Sequence, residues 1–181
     1  MNRPLRTLFL AIFLLISPVS PMAQEIPTSW ELYFSPNGGC TEAIIKEMDK
    51  AKTTILAQAY SFTSAPIAKA ILNGHKRGVK VAVILDKSQG RKQYSSADFM
   101  ANSGILTKID SQHAIAHNKV IIIDRETVIT GSFNFTKAAE ESNAENLLII
   151  HDRKLAERYV KNWQDHDRHS KVYTGKDNSG A

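Results

Sequence analysis

The sequence predicts an α/β domain: a mixed β-sheet flanked by α-helices. Two observations carry this. Short aliphatic runs that read as strands alternate with stretches of helical period. The runs GVKVAVILD (78–86) and KVIIID (119–124) are apolar on both parities, as strands covered on both faces are. A third observation sets the domain count: no linker or internal repeat interrupts the pattern.

The elements follow in order. Residues 1–23 carry Arg3 and Arg6, an apolar run from Leu8 to Ile16, and a looser Ser/Pro segment. These are the three regions of a secretory signal peptide, with cleavage after Ala23. The run is shorter than the roughly 20 apolar residues that span a bilayer. The expectation is an exported protein, periplasmic or secreted, with no stable membrane association once residues 24–181 stand alone as one domain. WELYFSP then reads as a strand ending in a Pro-Asn-Gly-Gly turn. Residues 41–51 read as a helix with Ile44, Ile45 and Met48 on one face and Thr41 as N-cap. A strand at 53–60, a helix at 64–77 stopped by Gly78, and the strand at 78–86 come next. A polar loop (87–94), a short helix (97–102) and a strand (104–109) follow. Residues 117–136 supply two strands joined by a turn near Arg125 and Glu126. A strand at 145–150 leads into an amphipathic helix at 152–167, with Leu155, Tyr159, Val160 and Trp163 inward. The tail from Gly175 is polar.

Charge and composition narrow the function. Lys and Arg number 23 against 18 acids, a net charge of +5 that falls to +3 without the two arginines of residues 1–23. Mild basicity suits a polyanionic partner without demanding one. Cys40, the single cysteine, excludes an intrachain disulfide and argues against cysteine chemistry; it reads as a small, partly buried residue. His151, His166 and His169 lack the spacing of a cysteine-closed metal site and read as decoration of a solvated helix, so no metal is expected. Lys87, Arg91 and Lys92 form either a solvated loop or, beside a phosphodiester site, a track for a nucleic-acid backbone.

The segment HNKVIIIDRETVITGSFNFT (117–136) poses the sharper question, because a histidine and a lysine lead an otherwise aliphatic strand. In extended chain His117 and Lys119 share a face, and Asp124 belongs to the other parity. Ser132 and Asn134 again share a face. Imidazole is a nucleophile, and lysine and amide donors suit the nonbridging oxygens of phosphate. Glu145 is an isolated acid entering an apolar strand; it is either a partner for a buried group or an exposed strand-end residue.

The compound pattern His117-x-Lys119, four residues, Asp124, then Gly131-Ser132-x-Asn134 resembles the HKD motif of the phospholipase D superfamily. The Phe34-Ser35-Pro36, Ala59 to Thr63 and Ile84-Leu85-Asp86 stretches share the likeness. It is nearest to the small exported endonucleases that carry one motif. The resemblance implies a catalytic set of His117, Lys119, Asp124 and Glu145. In it His117 is the nucleophile, Glu145 hydrogen-bonds its ring, and Asp124 has a structural, charge-pairing role. Lys119, Ser132 and Asn134 bind phosphate, with no metal or other cofactor.

One imidazole cannot both attack phosphorus and protonate the leaving oxygen, and this chain has one motif. A homodimer with two motifs meeting across a two-fold axis is the economical answer. The expected substrate is nucleic acid, DNA or RNA. A phospholipase or phosphatidyl transferase shares the motif, and a noncatalytic nucleic-acid-binding module explains the basicity but leaves His117, Lys119 and Asn134 without a joint purpose.

Overall fold

The structure is a computed structural model that describes residues 28–90 and 96–175. The expected signal peptide, Arg91 and Lys92 lie outside the described residues. Among the described residues thirteen elements follow one another: β1 (Ser29–Ser35), α1 (Cys40–Lys50), β2 (Thr54–Ala59), α2 (Ala65–Lys76), β3 (Lys80–Asp86), α3 (Ser96–Asn102), β4 (Leu106–Asp110), β5 (Lys119–Ile123), β6 (Thr127–Gly131), α4 (Lys137–Glu141), β7 (Glu145–His151), α5 (Arg153–His169) and β8 (Lys171–Val172). The strands form one sheet in the order β1-β7-β6-β5-β2-β3-β4-β8. β2, β3 and β4 run parallel, joined by helical crossovers, and the other pairings are antiparallel. The mixed sheet is the one expected.

Two layers explain the unbroken aliphatic runs. Val81, Val83, Leu85, Ile121 and Ile123 belong to the larger core, which also takes Ile44, Met48, Ile67 and Ile71 from α1 and α2. Ala82, Ile84, Val120 and Ile122 face the opposite way, onto Ala156, Val160 and Trp163 of α5. With both faces dry, each aliphatic side chain contributes about 1.5–3 kcal/mol, and a charge at such a position needs a reason.

Helix ends depart from the sequence reading. α1 begins at Cys40, and the Gly39 and Thr41 N–H groups donate to the two carboxylate oxygens of Glu140 at 3.0 and 2.7 Å. The cap is therefore an acid about a hundred residues away in the chain, not Thr41. Cys40 is fully buried, and burial together with nearby Glu140 pushes its thiol up to about 11, which fits an inert residue. α4 and β8 were not expected; five and two residues are too short to show a period.

Candidate active site

β5 carries the site at its entrance. Ala59 of β2 pairs with Lys119, and the Tyr60 N–H donates to the Asn118 carbonyl at 2.8 Å, so the pairing continues one residue ahead of the strand, next to His117. The His117 side is open to solvent, whereas Lys119 is only 6% exposed. Both border the same ring: the His117 imidazole lies 4.6 Å from the Tyr60 ring centre, and Lys119 Nζ lies 5.2 Å from it. The shared face expected for His117 and Lys119 is thus realised around Tyr60. That tyrosine supplies an apolar wall and a cation–π contact, a role the sequence did not reveal.

Lys119 is a buried cation with donors to spare. Its Nζ donates one hydrogen bond, to the His117 carbonyl at 3.0 Å. An ammonium has three donors, so two remain for a ligand. Burial lowers its pKa below the ordinary lysine value, and the negative charge of Glu145 works in the opposite direction. Glu145 therefore helps to keep Lys119 charged. The expected hydrogen bond from His117 to Glu145 is not present within this chain; the carboxylate accepts from Asn143 Nδ2 at 3.3 Å. The reason is the sheet order, which sets β7 two strands from β5, with β6 between them.

The Gly-Ser-Phe-Asn turn closes the other side. Gly131 has φ 149°, and a Cβ there would lie 2.3 Å from the Asn146 carbonyl oxygen, so the close approach of β6 to β7 requires glycine. Ser132 and Phe133 donate their N–H groups to that carbonyl at 3.1 and 3.2 Å. The Ser132 hydroxyl oxygen accepts from the Asn146 N–H at 3.0 Å, which leaves its own proton to donate. Phe133 and Phe135 are fully buried, and Phe135 stacks edge-on against Phe62 with ring centres 5.5 Å apart. The two aromatics anchor the turn and leave Asn134 between them. Asn134 Oδ1 is buried without a hydrogen-bond partner. Leaving such an acceptor unpaired costs about 1–3 kcal/mol and only a donor could offset it; a phosphate oxygen could be held by the Nδ2 group instead.

Asp86 holds the approach to the site. It is buried at the end of β3, and its two carboxylate oxygens accept from the Ser88 and Ala116 N–H groups, each at 2.8 Å. Ala116 immediately precedes His117, so Asp86 fixes where the histidine emerges. Burial raises its pKa, but these hydrogen bonds prevail and leave it lowered.

Asp124 does not join the site. It lies five residues beyond Lys119, roughly 16 Å along the strand. Its carboxylate accepts the N–H groups of Lys52, Thr53 and Thr54 at 2.9, 2.7 and 2.9 Å, and the Thr53 hydroxyl at 2.8 Å. Its role is to cap the turn into β2, through hydrogen bonds to backbone in place of the charge pairing the motif implied. Burial raises its pKa, and the amides of Thr54, Thr53 and Lys52 outweigh that and leave it lowered. A depressed folded-state pKa means stabilisation present above the normal carboxyl range and lost as pH falls through the lowered value. Asp124→Ala is expected to cost about 2 kcal/mol in urea unfolding and to flatten this acid dependence. Turnover per folded molecule should stay within a few-fold.

The histidines of α5 also depart from expectation. His166 and His169 do not decorate a solvated face: both converge with His113 on buried Asp110. Lys87 is tied by its Nζ to the His113 carbonyl at 3.0 Å.

Comparison with known proteins agrees with this fold. Residues 44–166 match the family model described as "Cardiolipin synthase, PLD-like domain". A phospholipase D of Rickettsia felis is 49% identical over 130 residues, 72% of this chain and 65% of that protein. The chain thus spans just under two thirds of that curated relative's length. The crystal structure of Nuc from Salmonella typhimurium, a phospholipase D family member, superposes with a TM-score of 0.78 at 42% identity, covering 81% of this chain and 99% of that one. NucT from Helicobacter pylori shares the fold, with a TM-score of 0.75 at 23% identity over 81% of this chain and all of that one. With His117 and Lys119 at the mouth of β5 around Tyr60 and a family model spanning residues 44–166, this chain belongs to the phospholipase D superfamily.

Proposed function

We propose that this chain is a phosphodiesterase that cleaves nucleic acid, with DNA as the first substrate to test and RNA as the second. The observation that carries the reading is the pairing of an open imidazole at His117 with a buried, ligand-ready ammonium at Lys119. A nonbridging phosphate oxygen held by Lys119 and the Asn134 amide places phosphorus beside the imidazole.

The chemistry needs a second histidine, and a homodimer supplies it. Support comes from β1, an edge strand of the sheet that leaves Trp30 and Phe34 65% and 61% exposed, with Leu32 between them. Phe34 pairs with Asn146, and Ser35 with Glu145, so this apolar strip runs up to the site. Such a strip suits an isologous contact that brings two sites together. In the proposed reaction, His117 forms a bond to phosphorus as the bond to the leaving oxygen breaks. The partner's His117 gives that oxygen a proton. The now neutral partner imidazole takes a proton from water, whose oxygen displaces His117 from phosphorus. Lysine and asparagine donors from both protomers cover the developing charge, so no step is routed through a metal. Glu145 acts here by holding Lys119 in its charged form.

A lipid phosphodiesterase is the second reading, favoured by the name phospholipase D on the Rickettsia relative. Export is part of the proposal and rests on residues 1–23; no helix among the described residues is long and apolar enough to cross a membrane. The deciding experiment supplies plasmid DNA, RNA and phosphatidylcholine vesicles to the purified protein in excess EDTA, well below its melting temperature. Cleavage of nucleic acid is expected to persist. Choline release without nucleic-acid cleavage would establish the lipid reading, and turnover lost in EDTA with Tm and circular dichroism unchanged, then restored only by a divalent cation, would overturn the metal-free sequence of steps.

A further inference from the structure

Four polar side chains outside the catalytic site converge where β4 ends. Asp110, the last residue of that strand, is fully buried, and its Oδ2 meets three ring nitrogens: His166 Nδ1 at 2.8 Å, His113 Nδ1 at 2.9 Å and His169 Nε2 at 3.2 Å. The ring centres are 4.8 Å apart for His113 and His166, 5.2 Å for His113 and His169, and 5.4 Å for His166 and His169. Packing three imidazoles around a single carboxylate oxygen is crowded for hydrogen bonding alone, since all three N–H groups must aim at one atom.

We propose that Asp110, His113, His166 and His169 form a structural binding site for a divalent transition metal of the zinc type. All four donor atoms lie within 4.8 Å of one another. Tetrahedral coordination at metal–ligand distances near 2.0–2.1 Å requires ligand–ligand edges of about 3.3 Å. The three oxygen–nitrogen edges already approach that value, and the wider nitrogen–nitrogen edges close by side-chain torsions at a helix end and in a loop. The donor set of three imidazoles and one carboxylate suits zinc better than the oxygen-seeking calcium or magnesium.

The surroundings complete the argument. Asp110 and His113, and His166 and His169, are each separated by two residues, a spacing that turns both side chains of a pair toward one point. Gln112 N–H donates to Asp110 Oδ1 at 3.1 Å and orients the carboxylate, leaving Oδ2 for the cluster. His166 and His169 stand on the last turn of α5, where the helix dipole favours positive charge. Two cations lie close: Lys108 is paired with Asp167, and Lys87 is engaged at the His113 carbonyl, so neither points free charge at the centre. With four protein ligands the site is closed to substrate, as structural sites are. It would clamp the end of α5 to the loop of residues 111–116 that delivers His117.

The test uses full-length protein prepared without a polyhistidine tag and stripped by EDTA. Zinc is added back, and bound metal is measured by elemental analysis after gel filtration. One metal per chain is expected, with Tm rising by about 5–10 °C at free zinc a hundredfold above Kd. His113→Ala and His169→Ala should each lose the bound metal and the Tm rise. Cobalt loading of the unaltered protein gives a readout that needs no variant: intense visible bands mark four-coordinate binding at a histidine site. Wild-type protein that binds no zinc, keeps its Tm, or shows no such cobalt spectrum would overturn the proposal. So would variants that bind as the wild type does. None of these readouts depends on the substrate, so the nuclease reading stands or falls separately.

Discussion

Replacing His117 with alanine is expected to reduce phosphodiester cleavage by on the order of 10⁴-fold or more, because both the nucleophile and the proton donor vanish from a shared site. The side chain is exposed, with its ring against Tyr60. Its loss should therefore leave folding and dimerisation intact, which circular dichroism and sedimentation check. Lys119→Ala removes one phosphate donor per protomer, each worth about 10²- to 10³-fold, so a dimer lacking both should be close to inactive. Lys119 also sets an alkaline limit. Its pKa is lowered by burial, so its charge should be lost on the alkaline side at a pH below the ordinary lysine range. Glu145→Gln removes the opposing influence and should move that limb lower still. His117→Asn with near-normal turnover would remove the nucleophile assignment.

Mixing wild-type and His117→Ala chains gives the second large effect, and it tests assembly as well as chemistry. A heterodimer keeps one imidazole, which cannot attack phosphorus and protonate the leaving group in the same step. After subunit exchange at equal amounts, about one quarter of dimers are wild-type pairs. Activity per chain should fall to about that quarter. A site complete within each chain keeps one half, so a straight line of activity against wild-type fraction would sink the shared-site mechanism. Charged substitutions at Trp30 and Phe34 should weaken dimerisation and activity together, since the exposed strip of β1 borders the site.

The mixed sheet, most helices and the segment that holds His117 and Lys119 were legible in the sequence alone. Period and parity are local properties, so the runs at 78–86 and 119–124 declared strands buried on both faces. His117, Lys119, Ser132 and Asn134 were legible because one contiguous segment carries them, and a hairpin must return its two ends to one edge. Asp124 was legible as the residue pointing away, although its partners, the amides at 52–54, come from the turn into a neighbouring strand. Meetings between segments far apart in sequence were not legible there. Glu140 caps α1 across about a hundred residues because α4 packs there, and no local signal marks an acid for that task. Tyr60 reaches both His117 and Lys119 because β2 is the neighbour of β5, a choice set by sheet order. The same order keeps Glu145 two strands away, where it acts on Lys119 by charge and makes no contact with the His117 ring. His166 and His169 look solvated on a helical wheel, yet the end of β4 brings buried Asp110 against them. Spacing fixes which way a side chain points along its own element; what it points at depends on which element the fold sets beside it.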